Sequence, residues 1–115
     1  MNAIKEKTAE LAALLKQSPE YEAFVSARER AFADESTRLL IGEYSKLQYR
    51  LRAAAMSGAA DEDELIRLQK LGELLQLNPD ASEYLFAQYR LNKLVTDVYE
   101  AVAKAVDIDL AMFEG

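Results

Sequence analysis

Apolar residues recur along the first fifteen positions with the spacing of an amphipathic helix. Intervals of four, three and four residues place one set on a single helical face: Ile4, Thr8, Leu11 and Leu15. Ser18 and Pro19 follow this run. A serine before a proline is typical of a helix N-cap followed by the first helical residue. The pattern predicts that a short first helix ends here and that a second helix begins at Pro19.

The segment from Pro19 to Met56 is dominated by helix-forming residues and contains no second proline. It predicts one helix of about 38 residues, roughly 57 Å long. The apolar stripe of its second half consists of Leu40, Tyr44, Leu47 and Leu51. The stretch Asp34–Arg38 is polar nearly all round and predicts a kink or local loosening. The opposite charges of Asp34 and Arg38, four residues apart, instead favour continuity.

The second half of the chain has the same order of helix-ending and helix-starting residues. The sequence SGAA at 57–60 predicts a break, and Asp61 is placed as the N-cap of a third helix that runs to about Leu77. Asn78 and Pro79 then start a fourth helix that ends near Val106. Its apolar stripe includes Leu91, Val95, Val98 and Val102. The sequence therefore predicts an all-α fold of four helices in the order short, long, short, long.

The predicted helical domain covers residues 1–107, and residues 108–115 form a C-terminal tail. The tail carries four large apolar side chains that we expect to dock on the bundle or on a partner: Ile108, Leu110, Met112 and Phe113. The two proline turns resemble each other, and an internal duplication of the chain would explain this similarity. Convergent capping chemistry explains the match equally well.

The length of the predicted helices indicates self-association. A compact domain of this size has a diameter of about 35 Å, so a helix of roughly 57 Å would project beyond it. Its apolar stripe must then be buried elsewhere, and we expect long antiparallel helices to form an oligomeric bundle, a dimer or higher. The predicted oligomer interface comprises Leu40, Tyr44, Leu47, Leu51, Leu91, Val95, Val98 and Val102.

The charge distribution bears on nucleic-acid binding. The net charge is −6, with nine basic against eight acidic residues in 1–56 and five against twelve in 57–115. This balance argues against the broad cationic surface of most nucleic-acid-binding proteins. Three basic residues interleaved with tyrosines between Tyr44 and Arg52 are still the best candidate contact with RNA or with an acidic partner: Lys46, Arg50 and Arg52. The simpler interpretation is a solvated basic face.

The chain contains neither cysteine nor histidine, which excludes thiolate and imidazole metal sites and Ser-His-Asp triads. The acidic run Asp61–Glu64 suits a helix N-terminus better than a carboxylate metal site, although a metal-binding bundle stays a third, weaker alternative. We therefore expect no catalytic residues, no metal and no cofactor. An apolar run long enough to span a membrane and a signal-peptide pattern are both absent, so we expect a cytoplasmic protein without membrane insertion.

The residues of the first half resemble the YlbF/YmcA family of small all-helical bacterial proteins. The matching positions are Glu10-Leu11-Ala12, Ser18, Glu20-Tyr21, Phe24, Ala27, Asp34, Leu39-Leu40, Tyr44 and Leu47-Gln48. Residues 78–106 are similar to the last long helix of the family. The resemblance covers nearly the whole chain.

This resemblance implies an oligomeric regulator without catalytic activity of its own. Family members act on competence, sporulation and biofilm formation through a complex that modulates a ribonuclease and mRNA maturation. Some members hold iron–sulfur clusters through cysteines, and this feature does not transfer to a chain without cysteine. The predicted function is a regulatory interaction protein, and an accessory RNA-binding protein that uses the Tyr44–Arg52 face is the alternative.

Overall fold

The computed structural model describes residues 2–108, which form five α-helices and no strand. The helices are α1 (Asn2–Leu15), α2 (Pro19–Phe32), α3 (Glu35–Met56), α4 (Glu62–Gln76) and α5 (Pro79–Ala105). The all-α prediction is confirmed. The predicted count of four is wrong, because the long helix expected from Pro19 to Met56 is two helices, α2 and α3. The predicted tail lies outside the described residues, apart from Ile108.

The break between α2 and α3 has a specific cause in Asp34. Its backbone is extended (φ −100°, ψ 119°), and its carboxylate accepts hydrogen bonds from the backbone N–H and the hydroxyl of Thr37, at 3.2 and 2.7 Å. Asp34 is therefore the N-cap of α3. The expected ion pair with Arg38 is absent, since Arg38 lies 3.9 Å from Glu35 instead. A polar stretch that predicted a loosened helix is thus the beginning of a new one.

Both proline turns start helices as the sequence predicts. The Ser18 hydroxyl accepts a hydrogen bond from the Tyr21 N–H at 3.1 Å, and the Asn78 side-chain oxygen accepts one from the Ala81 N–H at 3.1 Å. Pro19 and Pro79 are the first residues of α2 and α5. At the start of α4, the Asp61 carboxylate accepts from the Asp63 N–H at 2.9 Å, and the Glu64 side chain pairs with Arg50 rather than returning to the cap.

Two helices end in the same hydrogen-bonded turn with different residues at its left-handed position. After α3, Gly58 has φ +74°, and the N–H of Ala59 donates to the Ala54 carbonyl at 2.8 Å. After α5, Asp107 has φ +63°, and the N–H of Ile108 donates to the Ala103 carbonyl at 2.8 Å. Both are Schellman ends. Glycine adopts this conformation without strain, whereas aspartate does so at a cost.

The chain divides into two compact units. Unit 2 is Ser26–Leu85, and unit 1 consists of the chain up to Val25 together with the chain from Phe86 onward. In unit 2, α3 and α4 pack against each other around Leu47, Leu51 and Leu71. Ten of the twelve buried residues described belong to unit 2, and only Ala87 and Ala103 belong to unit 1. Unit 2 therefore has an apolar core of its own, while unit 1 leaves its apolar side chains largely uncovered.

Candidate interaction surface

The α3 half of the predicted oligomer interface lies in the core of unit 2. Leu47 and Leu51 are buried in one cluster with Leu71 of α4, and Leu40 and Tyr44 pack against that cluster half-buried. The Tyr44 ring also approaches Gly72, where an added side chain would lie 3.6 Å from the ring edge. The chain itself thus covers this stripe with α4.

The α5 half of the predicted interface is placed differently. Leu91 and Val98 are half-buried, whereas Val95 is 45% exposed and Val102 is 56% exposed. These residues belong to unit 1, where they share α5 with exposed aromatic side chains that the sequence analysis did not select: Phe86, Tyr89 and Tyr99. At about 3.6 residues per turn, Val95, Tyr99 and Val102 share one face of α5, whereas Phe86 and Tyr89 lie on the opposite side. The face of Val95, Tyr99 and Val102 is a candidate surface for contact with another chain, because exposed apolar patches mark interaction sites.

Helix α1 presents a second uncovered apolar surface in unit 1. None of its fourteen residues is buried, and Ile4 is 74% exposed. An open groove of about 390 Å³ runs along one side of α1 and is lined by Ala3, Ile4, Lys7, Thr8 and Leu11. The spacing of Ile4, Thr8 and Leu11 identified this face from sequence, but it did not show that the face would lack cover.

The basic residues selected from the sequence all lie at the surface of α3. Lys46, Arg50 and Arg52 are exposed. Arg50 forms an ion pair with Glu64, which belongs to the acidic first turn of α4. Lys46 and Arg50 also line an open groove of about 260 Å³ with Glu43, Leu47 and Arg67. Carboxylates of the same chain therefore already balance part of this basic face.

A hydrogen-bonded network joins the starts of α3 and α5 within unit 2. The side-chain N–H of Asn78 donates to the Thr37 hydroxyl at 2.8 Å, and this hydroxyl donates to the Asp34 carboxylate at 2.7 Å. Thr37 is buried, and the hydrogen bond from its side chain is the main reason that the pKa of Asp34 lies below its ordinary value of 3.8. One hydroxyl thus links two helix caps. Sequence reasoning identified Asn78 as a cap but missed its bond to Thr37.

Unit 2 contains a second set of contacts, made by Tyr84 and Glu83 near the start of α5. The Tyr84 ring is buried and lies 5.2 Å from the Phe32 ring, centre to centre. Burial raises the pKa of the Tyr84 phenol, and the nearby positive charge of Arg28 opposes that shift. Arg30 bridges α2 to α5 through Glu83 at 2.7 Å. The start of α5 therefore contacts the end of α2 through a ring pair and an ion pair.

A metal site in this chain would need several carboxylates in one place, because the sequence has neither histidine nor cysteine. Within residues 2–108, no group of acidic side chains is arranged to hold a metal ion, and no buried side-chain N or O atom lacks a hydrogen-bond partner. Among the described helices, none combines the length and the hydropathy of a membrane span. Exposed large apolar side chains occur in both units, but in the described part of unit 1 only two buried residues lie with them.

The fold and this surface define a small all-helical protein with exposed apolar helix faces. The chain belongs to the YlbF/YmcA family: residues 4–107 match the family model described as control of competence regulator ComK, YlbF/YmcA. The resemblance noted from the sequence is therefore confirmed over nearly the whole chain, and the family is one of regulatory proteins.

Two relatives match the chain over most of its length. A UPF0342 protein of Caldicellulosiruptor saccharolyticus is 33% identical over 105 residues, which cover 90% of this chain and 88% of the relative. A UPF0342 protein of Symbiobacterium thermophilum is 35% identical over 101 residues, which cover 87% and 90%.

Two solved structures share the helical fold. The protein of unknown function (DUF964) from Bacillus stearothermophilus superimposes with a TM-score of 0.77 at 21% identity, covering 91% of this chain and 93% of that one. A chain in the crystal structure of Bacillus subtilis RicA in complex with RicF superimposes with a TM-score of 0.62 at 18% identity, covering 91% and 94%.

Proposed function

We propose that this protein is a non-enzymatic, cytoplasmic regulator that acts by binding other helical chains, beginning with copies of itself. The regulatory description of its family supports the first part. The structure of RicA with RicF, which has a similar fold, supports association as the mode of action. As the family resemblance implies, the assembled protein takes part in a complex that modulates RNA processing, competence, sporulation or biofilm formation.

The observation that carries this proposal is the uncovered apolar surface of unit 1. Exposed apolar side chains lie along α1 and along α5 from Phe86 onward, while the described part of unit 1 has only two buried residues. Apolar surface removed from water contributes about 25 cal/mol per Å². Association with another chain would gain this free energy.

Light scattering across a range of micromolar concentrations tests self-association. We expect the wild-type mass to be at least twice the chain mass of 12.9 kDa. The double substitution Val95→Glu and Val102→Glu should lower the mass toward that of one chain, because it places charges on the exposed face of α5. The matched control is Tyr49→Glu, since Tyr49 is 79% exposed on α3 and lies outside the proposed interface. A monomeric wild type would refute self-association.

A second candidate function is accessory RNA binding through the basic face of α3. The observation in its favour is that Lys46, Arg50 and Arg67 line one groove. Fluorescence anisotropy with a single-stranded RNA at several salt concentrations tests this candidate, because phosphate contacts weaken steeply as salt rises. Replacement of Lys46, Arg50 and Arg67 by glutamate should then abolish binding. If no binding occurs even at low salt, the RNA function is excluded.

A further inference from the structure

The apolar face of helix α1 is largely exposed. It has fourteen residues, none of them buried, and isolated helices of this length are marginally stable in water. Its apolar face carries Ile4, Leu11 and Leu14, all exposed. A helix with such a face gains its stability by packing against another element.

The exposed face of α5 has a spacing that matches the face of α1. Intervals of four, three and four residues separate the exposed side chains Val95, Tyr99, Val102 and Val106. The same intervals separate Ile4, Thr8, Leu11 and Leu15 on α1. Both stripes therefore extend about 16 Å along their helices, and both have the alternating three and four spacing of a two-helix seam.

The charges beside these stripes favour a mixed pair of helices. Residues 2–16 contain three lysines and two glutamates, whereas residues 94–108 contain three acidic residues and one lysine. Pairing either of these two segments with its own copy would bring together segments of the same net charge. The excess positive charge of the first segment is Lys16, the residue directly after α1. Pairing residues 2–16 with residues 94–108 opposes this positive segment to a negative one, and this complementarity favours the mixed contact.

We propose that α1 of one copy of this protein packs on a face of a second copy formed by Val95, Tyr99 and Val102 of α5 and by Val106 just after that helix, and that the second copy makes the same contact with the first. This inference rests on the self-association proposed above and names the surfaces that carry it. A two-fold axis relates the two contacts, as in most dimers.

The available area explains why both contacts are needed. Seven exposed apolar side chains per copy contribute to the pair of contacts: Ile4, Leu11, Leu14, Val95, Tyr99, Val102 and Val106. With about half of each side chain exposed, the seven together present about 200–420 Å² of apolar surface per copy to the two contacts. Apolar atoms make up a little over half of an ordinary interface, so the total is about 350–740 Å² per copy. This range reaches the roughly 600 Å² per partner of the smaller stable interfaces, whereas one contact alone would not.

The absence of native cysteine allows a direct cross-linking test. Two single-cysteine chains, Leu11→Cys and Val102→Cys, are mixed, with a tag on one chain to separate the products by mass, and are then oxidised. A second mixture uses Tyr99→Cys, because Leu11 lies opposite Val102 if the helices are parallel and opposite Tyr99 if they are antiparallel. The control mixture pairs Leu11→Cys with Tyr49→Cys on the exposed surface of α3.

We expect one of the two mixtures to give a mixed disulfide at least about tenfold more abundantly than the control, because the interface raises the effective concentration of the two thiols. If light scattering shows an assembled protein but the symmetric Leu11–Leu11 product dominates, or no mixed product exceeds the control, the α1–α5 pairing is overturned and self-association stands. A monomeric wild type would overturn both proposals.

Discussion

The Asn78 side chain caps α5 and also bonds to another helix, so its removal should cost more than the loss of an ordinary cap. Loss of an N-cap costs about 1 kcal/mol. Asn78→Ala also removes the donor that reaches the buried Thr37 hydroxyl at 2.8 Å, and such a bond contributes about 0.5–1.5 kcal/mol. We expect a decrease of about 2 kcal/mol in the free energy of unfolding.

The matched control for this substitution is Ser18→Ala at the other proline turn. The Ser18 hydroxyl bonds only to its neighbours, accepting from the Tyr21 N–H and donating to the Leu15 carbonyl at 2.6 Å. Its loss should therefore cost about 1 kcal/mol, the value of a local cap. The difference between the two variants isolates the bond that joins the starts of α3 and α5.

Urea unfolding followed by circular dichroism, at one fixed chain concentration, measures both effects. A double-mutant cycle of Asn78→Ala with Thr37→Val should give a coupling free energy of about 0.5–1.5 kcal/mol. If Asn78→Ala costs no more than Ser18→Ala, or if the coupling is zero, the two helix caps are not energetically linked and the argument is wrong.

Three further predictions follow from single side chains. Asp34 has a pKa below its ordinary value of 3.8, so its contribution to stability is complete above pH 3.8 and is lost as the pH falls through the lower pKa of the folded state. In Asp34→Asn, the free energy of unfolding should therefore decrease less steeply as the pH is lowered. Asp107→Gly should raise stability by about 1 kcal/mol in urea unfolding, because glycine adopts φ +63° without strain, and an unchanged midpoint would contradict this. Leu75→Ala should cost about 2–5 kcal/mol since Leu75 is 1% exposed, whereas the control Leu77→Ala, at 81% exposure, should stay within about 0.5 kcal/mol.

Helix boundaries that depend on local capping chemistry could be predicted from the sequence. The starts at Pro19 and Pro79 follow from a serine or asparagine that accepts a bond from an N–H three residues later. The break at Asp34 was missed as a boundary because the surrounding residues have high helix propensity. The cap depends on Thr37, whose burial beside Asn78 is a tertiary contact between residues 41 positions apart.

The apolar stripes show a different limit of sequence reasoning. Spacing identifies which side chains share a helical face, but it carries no information on what covers that face. The stripes of α3 and α5 have similar patterns, yet α4 covers Leu47 and Leu51, while Val95 and Val102 stay exposed. The exposed aromatic residues Phe86 and Tyr99 were missed for the same reason.

This difference between the two stripes gives a prediction that separates core from interface. Leu47→Glu places a charge inside the α3–α4 core, where Leu47 is 5% exposed, and burial of an unpaired charge is costly enough to unfold a small domain. It should therefore lower the helical signal in circular dichroism and abolish cooperative unfolding of unit 2. Val102→Glu lies on an already exposed position, so it should preserve helicity while lowering the assembled mass. If Leu47→Glu instead kept its full helical signal and lost only assembly, the α3 stripe would be an interface between chains, as the helix pattern first predicted. The contact of α3 with another chain would then be stronger than its contact with α4.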